Sequence, residues 1–231
     1  MSTQNTQIIE EMFRAGAHYG YSKSRRHPST SPYIFTTKNG VDIINIEKTY
    51  DLLEKALEEV KKCAELGKTI LFVGTKAEAR QQIVEVALSL NMPYVNERWV
   101  GGALTNFPEI KKRIARLLSL RDQKEKNELD KYTKKERLLL DKEMEKMTKN
   151  FQGLTGISKV PDVMIVIDTK KEHLAVTEAH KMNIPVIAIS NTDCNIKHAN
   201  FPIVANDASV SSINFFISKI KETYVKTTSN K

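Results

Sequence analysis

Residues able to act on a phosphate stand at three places in this chain. Gly74-Thr75-Lys76 closes a near-continuous apolar run, TILFVGTK (69–76), where an open α/β sheet offers a turn to a ligand. Lys76 there can meet a phosphate of a nucleotide or of RNA. A second candidate, Gly67-Lys68-Thr69, has the last three residues of a phosphate-binding loop, but Lys62 stands where that motif needs its first glycine. Its setting is also inverted, because such a loop follows a strand and opens a helix so that N–H groups and the helix dipole meet the anion. The third is Arg98-Trp99-Val100-Gly101-Gly102-Ala103-Leu104-Thr105-Asn106. Arginine pairs bidentately with phosphate, tryptophan stacks on a base or closes a core, and a glycine pair permits unusual backbone angles. Arg98, Thr105 and Asn106 are therefore candidate contacts to a nucleic-acid backbone.

Acid–base and metal chemistry find less support. Glu172-His173 and Glu178-x-His180 pair carboxylates with imidazoles, but no second histidine at i+4 completes a zinc motif, and no G-x-S-x-G elbow or kinase signature occurs. They read as polar residues on a helix surface. His18, Asp193, Cys194, His198 and Asp207 lack the repeated spacing of a ligand set, so no resident metal, cofactor or catalytic centre is expected. Cys63 and Cys194 are the only cysteines, which excludes a disulfide framework and points to a reducing compartment. MSTQNTQIIEEMF has neither a basic n-region nor the apolar run of a signal peptide. No stretch approaches the roughly 20 apolar residues of a membrane span. The expectation is a soluble, intracellular protein without membrane contact.

Charge is uneven along the chain. Lys and Arg number 36 against 28 Asp and Glu, a net +8 over 231 residues, which favours an anionic partner and says nothing of fold. Between Glu11 and Asp42 there is no acidic residue, while Arg14, Lys23, Arg25, Arg26 and Lys38 alternate with Tyr19, Tyr21, Tyr33 and Phe35. That mixture suits phosphates and exposed bases; solvated arginines beside core aromatics would read the same. Residues 109–152 hold no glycine or proline and carry 14 Lys/Arg against 9 Asp/Glu.

These residues need elements to position them. Ile46, Tyr50, Leu53, Leu57, Val60 and Ala64 mark an amphipathic helix that Gly67 can end. The run at 69–76 reads as a strand buried on both faces, followed by a helix with Ala79, Ile83, Val86, Ala87 and Leu90 on one side. Buried strands recur at 162–168, 184–190 and 201–205, with helices at 170–182 and through Ile213, Phe216, Ile217 and Ile220. Strands alternating with helices imply right-handed crossovers and a doubly wound, flavodoxin- or Rossmann-like α/β fold with a parallel sheet. Between 109 and 152, one stripe of Ile110, Ile114, Leu117 and Leu118 and another of Leu140, Met144, Met147 and Phe151 define two helices. Thr133-Lys134-Lys135-Glu136 fits the capping box of the second. The predicted organisation is an α/β domain from 1–108 and 153–231, its basic segment at about 12–41, with a coiled-coil hairpin inserted at 109–152.

Five segments then carry a resemblance. FRAGAHYGYSKSRRHP (13–28), ILFVGTK (70–76), ERWVGGALTN (97–106), YTKKERL (132–138) and VPDVMIVIDTKKEHLAVTEAHKMNIPVIAISNTD (160–193) together resemble the second protein of the small ribosomal subunit in its bacterial and organellar form. The resemblance covers nearly the whole chain. It implies a non-enzymatic, ribosome-bound protein, cytoplasmic or encoded in an organelle, that binds small-subunit rRNA and supports assembly and initiation. It also implies other small-subunit proteins as partners, among them the large, mRNA-capturing first protein. The chain departs from the family at Tyr21 and Glu97, where His is frequent, and at Asn191, where Asp is usual, which bears on a docking or metal role shared with His18 and Asp207. Gln152-Gly153 replaces a glycine pair, a change expected to be tolerated at a hinge. The residues expected to meet RNA are Lys23, Arg25, Arg26 and Lys38, then Arg98, Thr105, Asn106, Lys111, Lys112 and Arg113, with Lys134 and Lys135 at the hairpin tip and Lys76 as an outlier. Two rival readings stand beside this one: a nucleotide-binding or phosphotransfer enzyme centred on Gly74, and a coiled-coil protein whose hairpin recruits another protein.

Overall fold

The acid-free segment folds into a small sheet of its own. The computed structural model describes residues 3–229, and it begins with helix α1 (Thr3–Arg14) and three antiparallel strands, β1 (Tyr19–Ser22), β2 (Ile34–Lys38) and β3 (Val41–Ile44), in the order β1-β3-β2. This sheet was not legible from periodicity, because strands of four or five residues are too short to display one.

The expected α/β core follows. Helix α2 (Ile46–Glu65) is capped by Asn45, whose side chain accepts from the amide of Lys48, and Gly67 turns the chain away at φ +61°. Then come β4 (Ile70–Val73), α3 (Ala77–Ser89), β5 (Tyr94–Val95), α4 (Phe107–Glu125), α5 (Lys134–Phe151), β6 (Val163–Ile167), α6 (His173–Lys181), β7 (Val186–Ser190), β8 (Phe201–Val204) and α7 (Val210–Ser229). The five later strands form one parallel sheet ordered β5-β4-β6-β7-β8. Counted from the first of the five, this is the 2-1-3-4-5 order of doubly wound flavodoxin-like sheets.

Both faces of the sheet are buried, which is why its strands read as unbroken apolar runs. Ile70, Phe72, Val163, Ile165 and Ile167 pack with Met12, Leu53, Val60, Ile83 and Phe216 from α1, α2, α3 and α7. Their neighbours Leu71, Val73, Met164 and Val166 pack on the opposite side with Trp99, Ile110, Ile114, Leu117 and Val176. Burying each such side chain contributes about 1.5–3 kcal/mol, so a two-sided strand outweighs local preferences.

Helices α4 and α5 lie between β5 and β6 in the chain and run antiparallel. Arg116 meets Glu143 at 3.7 Å, Lys124 meets Asp141 at 2.7 Å, and Arg121 donates to the Thr148 hydroxyl at 3.1 Å. The capping box forms as expected, with Thr133 accepting from the Glu136 amide and the Glu136 carboxylate taking the Thr133 amide. One stripe is corrected: Leu118 is 45% exposed, and Leu120 is buried instead, because 3.6-residue periodicity carries the inner face from Leu117 to Leu120. Gln152 has φ −54° and ψ −44°, helical angles that any residue adopts, so the lost glycine costs nothing there. Gly153 does not act as a free hinge, since a Cβ on it would stand 2.2 Å from the Tyr94 carbonyl oxygen.

Candidate nucleic-acid interface

In a sheet of this order the crevice between the carboxyl ends of β4 and β6 is where ligands sit. Here the chain fills it with its own side chains. Lys76, just after β4, places Nζ 3.0 Å from Asp168 and 3.0 Å from Asp207, and donates to the Tyr21 hydroxyl at 3.2 Å. Burial alone would lower the pKa of Lys76, but the charges of Asp207 and Asp168 overcome it and hold the ammonium well above its ordinary range. Asp207, wholly buried, is pushed up to about 6, first by burial and then by Asp168. Lys76 is therefore corrected as a phosphate contact: its three neighbours consume the donors a phosphate would need.

The small sheet seals the same crevice. The Tyr21 amide donates to the Thr192 hydroxyl at 2.9 Å, and the Thr192 carbonyl accepts from the His27 amide and the Thr30 hydroxyl. Gly20 permits this approach, since a Cβ on it would lie 2.7 Å from Thr192 Cγ2 and 2.9 Å from the Asp42 carbonyl oxygen. The loop-borne set of His18, Asp193, Cys194, His198 and Asp207 does not assemble. His18 stacks on Phe13 at 4.2 Å and leans on Tyr19 at 4.1 Å, while His198 bonds Asn195. Asp168, Cys194 and Asp207 do converge, their ligand atoms within 4.8 Å of one another. These residues do not fit a divalent ion, because the Lys76 ammonium already lies between the two carboxylates and Asn191 turns an N–H on Asp207 at 3.2 Å.

Outside the crevice the cations divide into two groups. Arg26 is bound inward: its guanidinium grips buried Asp42 through two hydrogen bonds, Nε to Oδ2 at 2.6 Å and Nη2 to Oδ1, and holds that carboxyl below its ordinary range. It is a structural ion pair, a correction to its expected role. Arg25 lies 4.3 Å over the Tyr21 ring and 3.3 Å from Asp193, yet stays half-exposed. Lys23, in the turn after β1, and Lys38, at the end of β2, are exposed, as is Phe35 at 73%. Lys170 shares Asp193 with Arg25, at 2.9 Å. Sequence reading passed over Lys170, since a lysine pair opening a helix looks like a solvated face.

The loop at 98–106 is built around one carboxylate. Glu178 Oε1 accepts from the Trp99 indole at 3.1 Å and the Gly102 amide at 2.8 Å, while Oε2 accepts from the Leu104 amide at 3.0 Å and the Thr105 amide and hydroxyl at 3.3 Å. Burial would raise the pKa of Glu178, but these donors outweigh it and lower the pKa. Glu178 is 8% exposed, and Glu172, which accepts from the amide and hydroxyl of Thr75, is 3% exposed. Both are corrections to the surface reading, whereas His173 and His180 face solvent. Trp99 closes the core, and Arg98, Thr105 and Asn106 remain on the surface.

The last cluster lies on the α4–α5 pair. Lys111, Lys112 and Arg113 are exposed along the first turns of α4, with Lys111 donating to the Ser158 carbonyl at 3.1 Å and Lys112 to Glu109 at 2.6 Å. Lys112, Arg113, Arg116, Lys146 and Asn150, with Glu143 beside Arg116, line a shallow groove of about 380 Å³ together with Met147 and Phe151. Arg116 follows Arg113 by one turn of α4, whereas Lys146 comes beside them only through the packing of α5 on α4. Lys134 and Lys135 are exposed in the first turn of α5.

The fold is a doubly wound α/β domain whose crevice is filled by its own side chains, with many of its remaining cations exposed. The model of the family "Ribosomal protein S2" matches residues 12–227. The chain is 43% identical over 215 residues to small ribosomal subunit protein uS2 of Dictyoglomus turgidum, covering 93% of this chain and 87% of that one. It is 42% identical over 217 residues to uS2 of Chlorobium chlorochromatii, covering 94% and 86%. The chain belongs to the ribosomal protein S2 family: it is a structural ribosomal protein and not an enzyme. No helix among the described residues is long and apolar enough to cross a membrane.

Proposed function

We propose that this chain is a structural constituent of the small ribosomal subunit that binds small-subunit rRNA through its exposed cations and supports assembly and initiation, on cytoplasmic or organellar ribosomes. The observation that carries the reading is the sorting of charge. Lys76 and Arg26 are neutralised inside, while Lys23, Lys38, Arg98, Lys111, Lys112, Arg113, Lys134 and Lys135 remain exposed. Arg25, Thr105 and Asn106 complete the proposed contacts, and Arg116 and Lys146 extend them. Phosphate contacts position such a protein, and specificity comes from the shape of the folded RNA and its unstacked bases.

The α4–α5 pair is proposed as an inserted coiled-coil arm, and the family supports docking of other small-subunit proteins, including the large, mRNA-capturing first protein. The nucleotide-enzyme alternative loses its site, since side chains of this protein occupy the crevice at Gly74. Affinity for a small-subunit rRNA fragment should fall with salt by roughly 0.7–0.9 log units per log unit for each phosphate contact, and Lys23→Ala, Lys38→Ala or Lys112→Ala should each lower that slope by about one. A salt-independent affinity, or a chain that sediments apart from the small subunit at low salt, sinks the reading.

A further inference from the structure

We infer that Glu178 is a positioning residue for RNA recognition: its buried carboxylate sets the shape in which the 98–106 loop presents Arg98 and Asn106. The inference rests on the RNA-binding reading above and adds to it a residue on α6 that touches no RNA itself.

The loop has little else to hold it. Beyond Glu178, its described backbone bonds are the Ala103 amide to the Val100 carbonyl and the Asn106 amide to the Gly102 carbonyl, with the Asn106 carbonyl accepting from the Glu109 and Ile110 amides as α4 begins. Gly102 sits at φ +86°, in the left-handed region, and the side chains of Trp99, Ala103 and Leu104 point into the core. Three amides, one indole N–H and one hydroxyl converge on the two carboxylate oxygens, and without that acceptor the buried donors would be stranded. What the loop turns outward is then fixed. Arg98 precedes the first anchored residue, and Asn106, whose side chain makes no cap bond, follows the last. The Thr105 hydroxyl gives its proton to Glu178, so toward a ligand it offers lone pairs and suits an RNA donor such as a 2′-hydroxyl better than a phosphate. Because α4 begins at Phe107, the same carboxylate also sets where Lys111, Lys112 and Arg113 start.

Glu178→Gln keeps size and burial but replaces one acceptor oxygen with an NH2 group facing N–H donors. In the full-length variant, amide exchange at Gly102, Leu104 and Thr105 should accelerate at least tenfold while the β6 amides stay protected. Affinity for the rRNA fragment should fall about tenfold, and adding Arg98→Ala should then cost less than about twofold, although Arg98→Ala alone costs several-fold in the wild type. Lys38→Ala, remote from the loop, should cost the same in both backgrounds. Glu178→Asp, which keeps the charge one methylene back, should recover part of both readouts and serves if the Gln variant does not fold. Unchanged loop exchange overturns the inference, as do Arg98→Ala and Glu178→Gln effects that simply multiply. Absence of RNA binding by the wild-type chain overturns the RNA reading and the recognition role together, and the exchange data then still decide whether Glu178 shapes the loop.

Discussion

Two buried acids show how the environment of a residue decides its role. Asp207 and Glu178 are both carboxylates in the interior. Asp207 faces another carboxylate, keeps one oxygen without a hydrogen-bond partner, and titrates at about 6 against an ordinary 3.8. Glu178 faces only donors and is held below its ordinary range. For Asp207 the folded state binds the proton more tightly than the unfolded chain, so its contribution to stability is full below about pH 4 and is lost as pH rises through about 6. Glu178 and Asp42 run the other way: their stabilisation is present above the ordinary carboxylate range and is lost as pH falls through their depressed values. The Asp207 effect is therefore read as a difference. Between about pH 4.5 and 7, the wild type should lose stability relative to Asp207→Asn, measured by urea denaturation midpoints. A flat or rising difference refutes the assignment. His18, which the sequence placed in no ligand set, is laid flat on Phe13 by the fold at an interplanar angle of 8°.

At the scale of elements, the junction between arm and sheet is stiffer than its sequence suggests. Gln152 continues the helical turn of α5, and Gly153 then passes so close to Tyr94 on β5 that no side chain fits. Gly153→Ala should cost about 1–3 kcal/mol, because the obstacle is backbone and cannot rotate aside. Gly156→Ala is the control, having nothing within 4 Å of the added methyl. Equal denaturation midpoints for the two variants would show that the junction gives way. A second brace is ionic: Glu97 lies 3.1 Å from Arg80 on α3 and 4.0 Å from Lys149 on α5. Such exposed pairs contribute little singly, so the glycine contact is the stronger constraint.

For the whole molecule, the arm has a root and a reach. Ile110, Ile114, Leu117 and Phe151 belong to the core beneath the sheet, so removing all of 109–152 would expose Trp99, Val176 and their neighbours. A shorter deletion of 122–143, closed by a turn, keeps every side chain of that core, Met144 included. It should keep a cooperative unfolding transition while lowering the salt slope of RNA binding by about two, the share of Lys134 and Lys135. An unchanged slope would assign the tip to a protein partner instead. Aggregation of the shorter deletion would show that the distal half of the arm belongs to the core after all.

The sequence by itself determined the strand–helix alternation, two helices between 109 and 152 with a capping box opening the second, and the family, because two-sided strands and amphipathic faces leave periodic apolar patterns and motifs keep their order. It also marked most of the exposed cations, since runs of Lys and Arg seldom bury, although Arg26 in one such run turns inward. What only the tertiary structure decided was which charges are spent inside. Lys76 meets Asp168 and Asp207 across the sheet crevice, Arg26 meets Asp42 across a turn of chain, and Glu178 collects donors from a loop more than 70 residues earlier. Pairings of that kind depend on distances that sequence separation does not encode, and they separate a cation that builds the protein from one that is left for a partner.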